Sequence, residues 1–222
     1  MGHAVRRSGI TAEAVRSSTP GGTRGSTGGE GMIARDRSLS AALGRAIGLG
    51  MLTGCRSATP IAVLGRAAAL GQLDGFERTP FAPLTRPAVG RILWLAAAGE
   101  WTGDKLPMTP SRLARGPLIA RIVVGSALGA ASFRTARIPT PAGFAVGAVS
   151  AAAGAYAGYT LRQRVDTLSG WPDPLIGAAE DIIVTGGALT ICGAPWLGFG
   201  LAAAAAVALR AVPALSTAPE LG

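Results

Sequence analysis

Histidine is nearly absent from this chain: His3 is the only one, and it lies in the N-terminal tail. Histidine carries much of the general acid–base catalysis near neutral pH and is the commonest metal ligand. Histidine-dependent catalysis and histidine-ligated metal sites are therefore excluded from the apolar body. Cysteine is almost as scarce. Cys55 and Cys192 sit in separate apolar stretches, without the spacing of a metal site or a disulfide framework. Each reads as a small buried hydrophobe, and neither a metal nor a cofactor is expected. Aromatic residues make up 5% of the chain and charged residues 15%, against about 25% charged in ordinary soluble domains. A soluble core of this length would draw more bulk from Phe, Ile and Met.

What is present is apolar and small. Hydrophobic residues are 49% of the 222, and mean hydropathy is +0.39. Ala, Gly, Leu and Val dominate, which suits helices that pack backbone-close in lipid. The net charge of +9 does not point to nucleic acid. The arginines are scattered between apolar runs and in the tail, with no stripe interleaved with aromatics. They read instead as flanks that orient membrane spans, with the lipid bilayer as the partner and no nucleic acid; a homo-oligomer is left open.

Residues 1–38 are low-complexity, rich in Ser, Thr, Gly and Arg, and read as a disordered basic tail. They contain no apolar h-region of a secretory signal. Met32 is a simpler start site than Met1, an expectation that N-terminal sequencing of the native protein would decide. Residues 39–213 read as one transmembrane helical domain and 214–222 as a short flexible tail.

Two stretches carry the membrane reading. Ile138 to Leu161 has no charge and is long enough for a span of about 20 residues. Ile182 to Leu209 is also uncharged, but Gly193, Pro195 and Gly198 divide it into the end of one helix, a turn and another helix. Charges interrupt the other candidates: Ala41–Arg56, Val89–Asp104, Leu118–Phe133 and Leu175–Cys192. Pro60–Gly71 is short and reads as a half-helix or re-entrant segment. The fold class expected is an all-α, polytopic transmembrane bundle of six to seven helices. Small-xxx-small pairs recur at Gly44/Gly48, Gly50/Gly54, Gly125/Gly129, Gly143/Gly147 and Gly154/Gly158, a spacing that makes a flat groove for a neighbouring helix.

Gly50–Ser57 shares the pattern G-x-x-x-G-x-x-S with Gly125–Ser132, and Ala97–Glu100 resembles Gly177–Glu180 at a similar offset. An internal duplication with inverted halves is one reading; coincidence in a Gly/Ala-biased composition is the other. Orientation is open as well. The basic tail and the segment with Lys105, Arg112 and Arg115 both favour the cytoplasm. That requires an even number of crossings between them, whereas inverted halves require three.

Charges within apolar helices are the candidate functional groups, because a carboxylate at bilayer depth costs a few kcal/mol and is usually paired or turned toward water. The candidate intramembrane polar site comprises Arg56, Ser57, Glu100, Asp104, Lys105, Arg121, Glu180 and Asp181. Glu100 and Asp104 share a helix face at i, i+4. Glu180 and Asp181 are adjacent, point about 100° apart and cannot serve one partner. Gly54–Pro60 is a helix breaker next to Arg56, either an anion-holding break at membrane depth or the end of a helix at the interface.

These elements together resemble a family of bacterial membrane proteins, the domain-of-unknown-function family 4126. The resemblance rests on Gly54-Cys55-Arg56-Ser57 with Pro60, on Glu100 leading into Asp104-Lys105-Leu106-Pro107 and Pro110-Ser111-Arg112, on Arg121 with Gly125, and on Pro172-Asp173-Pro174 before Glu180-Asp181. It covers residues 40 to 192, leaving the tail and the helix after Pro195 outside. It implies a bacterial inner-membrane, multi-pass location and no particular activity. The first reading is a small permease-like transporter of a polar or anionic solute, its site lined by Glu100, Glu180, Asp181 and Arg56; the alternative is a non-catalytic structural or assembly protein whose buried charges hold helices together, and a lipid-acting enzyme is least favoured without histidine.

Overall fold

The computed structural model describes residues 27–103, 113–169 and 172–216. Among them are seven α-helices and no strand: α1 (Thr27–Cys55), α2 (Ala58–Ala69), α3 (Pro87–Gly103), α4 (Arg115–Thr135), α5 (Thr140–Ser169), α6 (Asp173–Ile191) and α7 (Pro195–Ser216), with two short 3-10 turns between α2 and α3. The chain is an all-α helical bundle, as its composition predicts. α1 begins at Thr27, inside the stretch read as low-complexity.

Proline starts most of these helices. Pro60, Pro87, Pro117, Pro141, Pro174 and Pro195 each fall in the first turn of their helix. There the missing N–H has no intrahelical acceptor to lose, and the fixed φ already suits the helix. Positive-φ glycines stop two of them. Gly71 (φ 72°) and Gly193 (φ 98°) follow α2 and α6. Their amides bond back to Ala68 and Thr190, and those of the next residues to Ala67 and Leu189. This is the glycine-terminated helix stop that spares a Cβ in the left-handed region. Gly193 thus turns the long apolar run between α6 and α7, where a turn was expected.

The helices alternate in direction. Glu100 near the end of α3 meets the start of α2, while Gly65 near the end of α2 abuts Leu84 just before α3, so α2 and α3 are antiparallel. Asp181 of α6 reaches Arg56 just past α1, and Ile191 reaches back to Gly48. In total, α1, α3, α5 and α7 run one way and α2, α4 and α6 the other. The end of α3 therefore lies at the end of the bundle opposite the start of α1.

The bundle closes on glycine. α5 lies between α1 and α4, and both present their G-x-x-x-G pairs to it. Gly50 and Gly54 of α1 face Gly147, Ser150, Ala151 and Gly154; Gly125 and Gly129 of α4 face Gly143 and Gly147. At Gly54, Gly129 and Gly147 an added Cβ would strike the backbone of the opposing helix, which cannot move aside as a side-chain tip can. Gly44, by contrast, has open space around it. The two halves have the same order of three helices, and the repeated glycine pairs of α1 and α4 grip one shared helix. Their second helices do not pack equivalently. α5 fills the seam between α1 and α4, whereas α2 packs against α3 and α6.

The outside is apolar. Ile92, Leu95, Ile119, Val123, Val149, Tyr156, Ile183, Trp196 and Phe199 are all exposed, while Arg56, Thr53, Thr59 and Arg121 are buried. Exposed apolar surface spread over five helices exceeds what a water-facing domain tolerates. α4, α5 and α6 are long and apolar enough to cross a membrane by length and composition, and together these features point to a membrane protein.

Gly54→Ala and Gly147→Ala should each lower thermal stability in detergent, by about 1–3 kcal/mol for overpacking. Gly90→Ala and Gly99→Ala, which add a methyl into open space, should leave stability unchanged or raise it by up to about 1 kcal/mol. Thermal melts of the four variants check this, and equal behaviour would contradict the backbone-close seam.

Candidate functional site

The site is built on an interruption. α1 stops at Cys55 and α2 starts at Ala58, and Ser57, the residue before α2, makes no side-chain cap bond. The first amides of a helix have no intrahelical acceptor, and inside an apolar bundle no bulk water replaces one. Here α3 supplies it. Glu100 accepts hydrogen bonds from the backbone N–H of Ser57 (2.7 Å to Oε1) and of Ala58 (2.9 Å to Oε2). One carboxylate thereby satisfies two amides and places negative charge at the positive end of the α2 dipole. The next residue of α3 holds the same turn: Trp101 Nε1 donates to Thr59 Oγ1 at 3.0 Å.

Arg56 occupies the interruption itself and is fully buried. Its Nε stands 2.6 Å from Asp181 Oδ1 of α6. A buried guanidinium requires such a partner, because an isolated charge at low dielectric costs several kcal/mol. Asp181 lies about two turns into α6, so the pair is set inside the bundle and not at the end of α6. Thr53, one turn before, is buried and returns its hydroxyl to the Leu49 carbonyl at 2.7 Å, meeting its hydrogen-bonding need within its own helix.

The structure thus brings together four of the predicted residues, Arg56, Ser57, Glu100 and Asp181. Glu180, the neighbour of Asp181, has an ion-pair partner on α5. Its carboxylate faces Arg162 of α5 (3.5 Å), and Arg162 also binds Asp173 at 2.6 Å. Adjacent helical positions diverge by about 100°, so Glu180 and Asp181 reach different neighbours. Arg121 is buried on α4, one turn before Gly125. Asp104 and Lys105 lie outside the described residues. Arg162, Thr59 and Trp101 are the participants that sequence reasoning missed. Arg162 stands just past the uncharged run of α5, and only the continuation of that helix to Ser169 places it opposite α6.

A family model described as "Domain of unknown function (DUF4126)" matches residues 43–214. The chain belongs to this family. The match takes in α7, beyond the limit at residue 192 that the motifs alone suggested. No curated protein and no solved structure matches the chain. The DUF4126 match spans every residue of the interruption and its partners but names no activity, so the chemistry rests on the geometry. Among the described residues no group of three His, Cys, Asp or Glu is placed to hold a metal ion. What the arrangement does chemically is satisfy a helix end and neutralise a buried cation.

Removing one partner of the pair should destabilise strongly. Arg56→Ala or Asp181→Ala should each cost about 3–5 kcal/mol by leaving the other charge buried alone, and Glu100→Ala a few kcal/mol by orphaning two amides. The double variant Arg56→Met/Asp181→Leu should recover most of the loss. Unfolding of the solubilised variants measures this, and a double variant as unstable as the singles would contradict it.

Proposed function

We propose that this DUF4126 member is a multi-pass protein of a bacterial inner membrane with a structural or assembly role, its intramembrane charges holding a broken helix in place. One observation carries the reading. The charged groups at the interruption are committed to protein partners: Glu100 to the Ser57 and Ala58 amides and Arg56 to Asp181. Groups so engaged are shaped to fix the angle between α1, α2, α3 and α6. The absence of histidine from the apolar body, with no nucleophile–base pair in the sequence, argues against an enzyme.

The distribution of arginines supports an orientation. Among the residues whose side chains are described, Arg66, Arg78, Arg86, Arg91, Arg134 and Arg137 gather at the end of the bundle that holds the connection from α2 to α3, against Arg115, Arg162 and Arg164 at the other. The excess among these residues supports an orientation with the first end, and the start of α1, in the cytoplasm. In intact cells, a cysteine introduced at exposed Asp74 should resist a membrane-impermeant maleimide, and one at exposed Asp166 should react. The reverse pattern would invert the orientation.

A permease-like reading is favoured by one feature of the same site. A helix start held by a carboxylate inside a bundle is a place where a small anionic solute would compete with Glu100. Proteoliposomes containing the purified protein distinguish the two. The structural reading expects uptake of acetate, phosphate and small dicarboxylates no faster than empty vesicles allow. Solute uptake abolished by Glu100→Gln, with the variant still folded, would replace it by the permease reading.

A further inference from the structure

We infer that the cleft between α2 and α3 is a binding site for an anionic phospholipid of the membrane leaflet at that end of the bundle. The cleft, about 740 Å³, is bounded by the last turns of α2, the 3-10 turn at Ala82–Thr85 and the first half of α3. It is distinct from the Arg56–Asp181 site, which lies at the opposite end of α2. Its volume falls in the range of small-molecule sites, and its wall is divided by chemistry.

Three arginines line the cleft: Arg66 from α2, Arg86 just before α3, and Arg91 on the first turns of α3. No carboxylate lines it, and all three side chains are exposed. Pro87 opens α3 in the same wall, so the positive end of that helix dipole adds to the three guanidinium charges. Leu84, Trp94 and Leu95 form the apolar part, with Leu95 largely exposed. Gly90 also lines the cleft, and a Cβ added there meets nothing within 4 Å, so this part of the cleft is unfilled.

Three cations above an apolar wall match a phosphate headgroup above acyl chain. A soluble anion would leave the Leu84–Trp94–Leu95 wall without a partner, and a zwitterionic lipid would leave the excess positive charge uncompensated. A second arginine group, Arg78, Arg134 and Arg137, lines a smaller hollow of about 270 Å³ with Gly75, Thr79 and Thr135. It has no apolar wall and serves as the control. The inference rests on the membrane reading above but not on either role proposed for the interruption.

The test uses the full chain in detergent, with the thermal midpoint followed against added lipid. Phosphatidylglycerol should stabilise saturably, while phosphatidylcholine and inorganic phosphate at equal concentration should not. Arg66→Gln/Arg86→Gln/Arg91→Gln should weaken the apparent affinity on the order of a hundredfold, roughly fivefold per arginine. Gly90→Leu, which fills the cleft and keeps all three arginines, should weaken it while leaving the lipid-free midpoint intact. Arg78→Gln/Arg134→Gln/Arg137→Gln should leave it unchanged. Equal stabilisation by phosphatidylcholine, or by phosphate alone, would overturn the site, as would a triple cleft variant that still responds. Should that variant fail to fold, Gly90→Leu alone decides. Release of the wild-type protein from membranes by alkaline carbonate would instead overturn the membrane reading, so the two failures are separable.

Discussion

A helix that ends inside an apolar bundle exposes amides to a medium without water, and the architecture around α1 and α2 answers that constraint. Glu100 reaches from α3 to the amides of Ser57 and Ala58, and Trp101 holds the adjoining Thr59 hydroxyl. The antiparallel pairing of α2 and α3 follows, because the acceptor must lie near the end of α3 to meet the start of α2. The position of α6 follows in turn from Arg56, whose burial is tolerable only with Asp181 beside it. Four helices are thus placed by two electrostatic requirements of one short interruption.

The second constraint is steric. Association of apolar helices in lipid gains little from the hydrophobic effect and depends on close packing. α5 supplies Gly143, Gly147 and Gly154 as a flat face, and α1 and α4 meet it with their own glycines. The polar interruption fixes directions and the glycine seam fixes distances. They are joined at Cys55, whose thiol donates to the Gly154 carbonyl at 3.7 Å, one residue before Arg56. A change at the seam would therefore be felt at the ion pair.

Much of this was legible beforehand where the signal is local. Gly193 marked the turn before α7, and the glycine pairs at Gly50/Gly54 and Gly125/Gly129 identified faces that do meet a neighbour. Arg56, Glu100 and Asp181 stood out because charge is costly in an apolar run. Less legible were the extent of α1, which reaches back to Thr27 through a Gly-rich segment, and the part played by Arg162, which belongs to a helix continuing beyond its apolar run. The motif-based limit at residue 192 was short for a related reason: apart from Arg210, α7 is almost wholly apolar and carries no distinctive side-chain pattern.

The sequence alone determined that this chain is helical, apolar and broken within Gly54–Pro60, because proline, glycine and hydropathy act within a few residues. Which charge answers which is a different kind of fact. Glu180 and Asp181 are neighbours with the same chemistry, yet one faces Arg162 and the other Arg56. Helical rotation of about 100° per residue, combined with the register between α6, α5 and α1, makes that assignment. Register between helices depends on contacts far apart along the chain, so only the tertiary structure decided it.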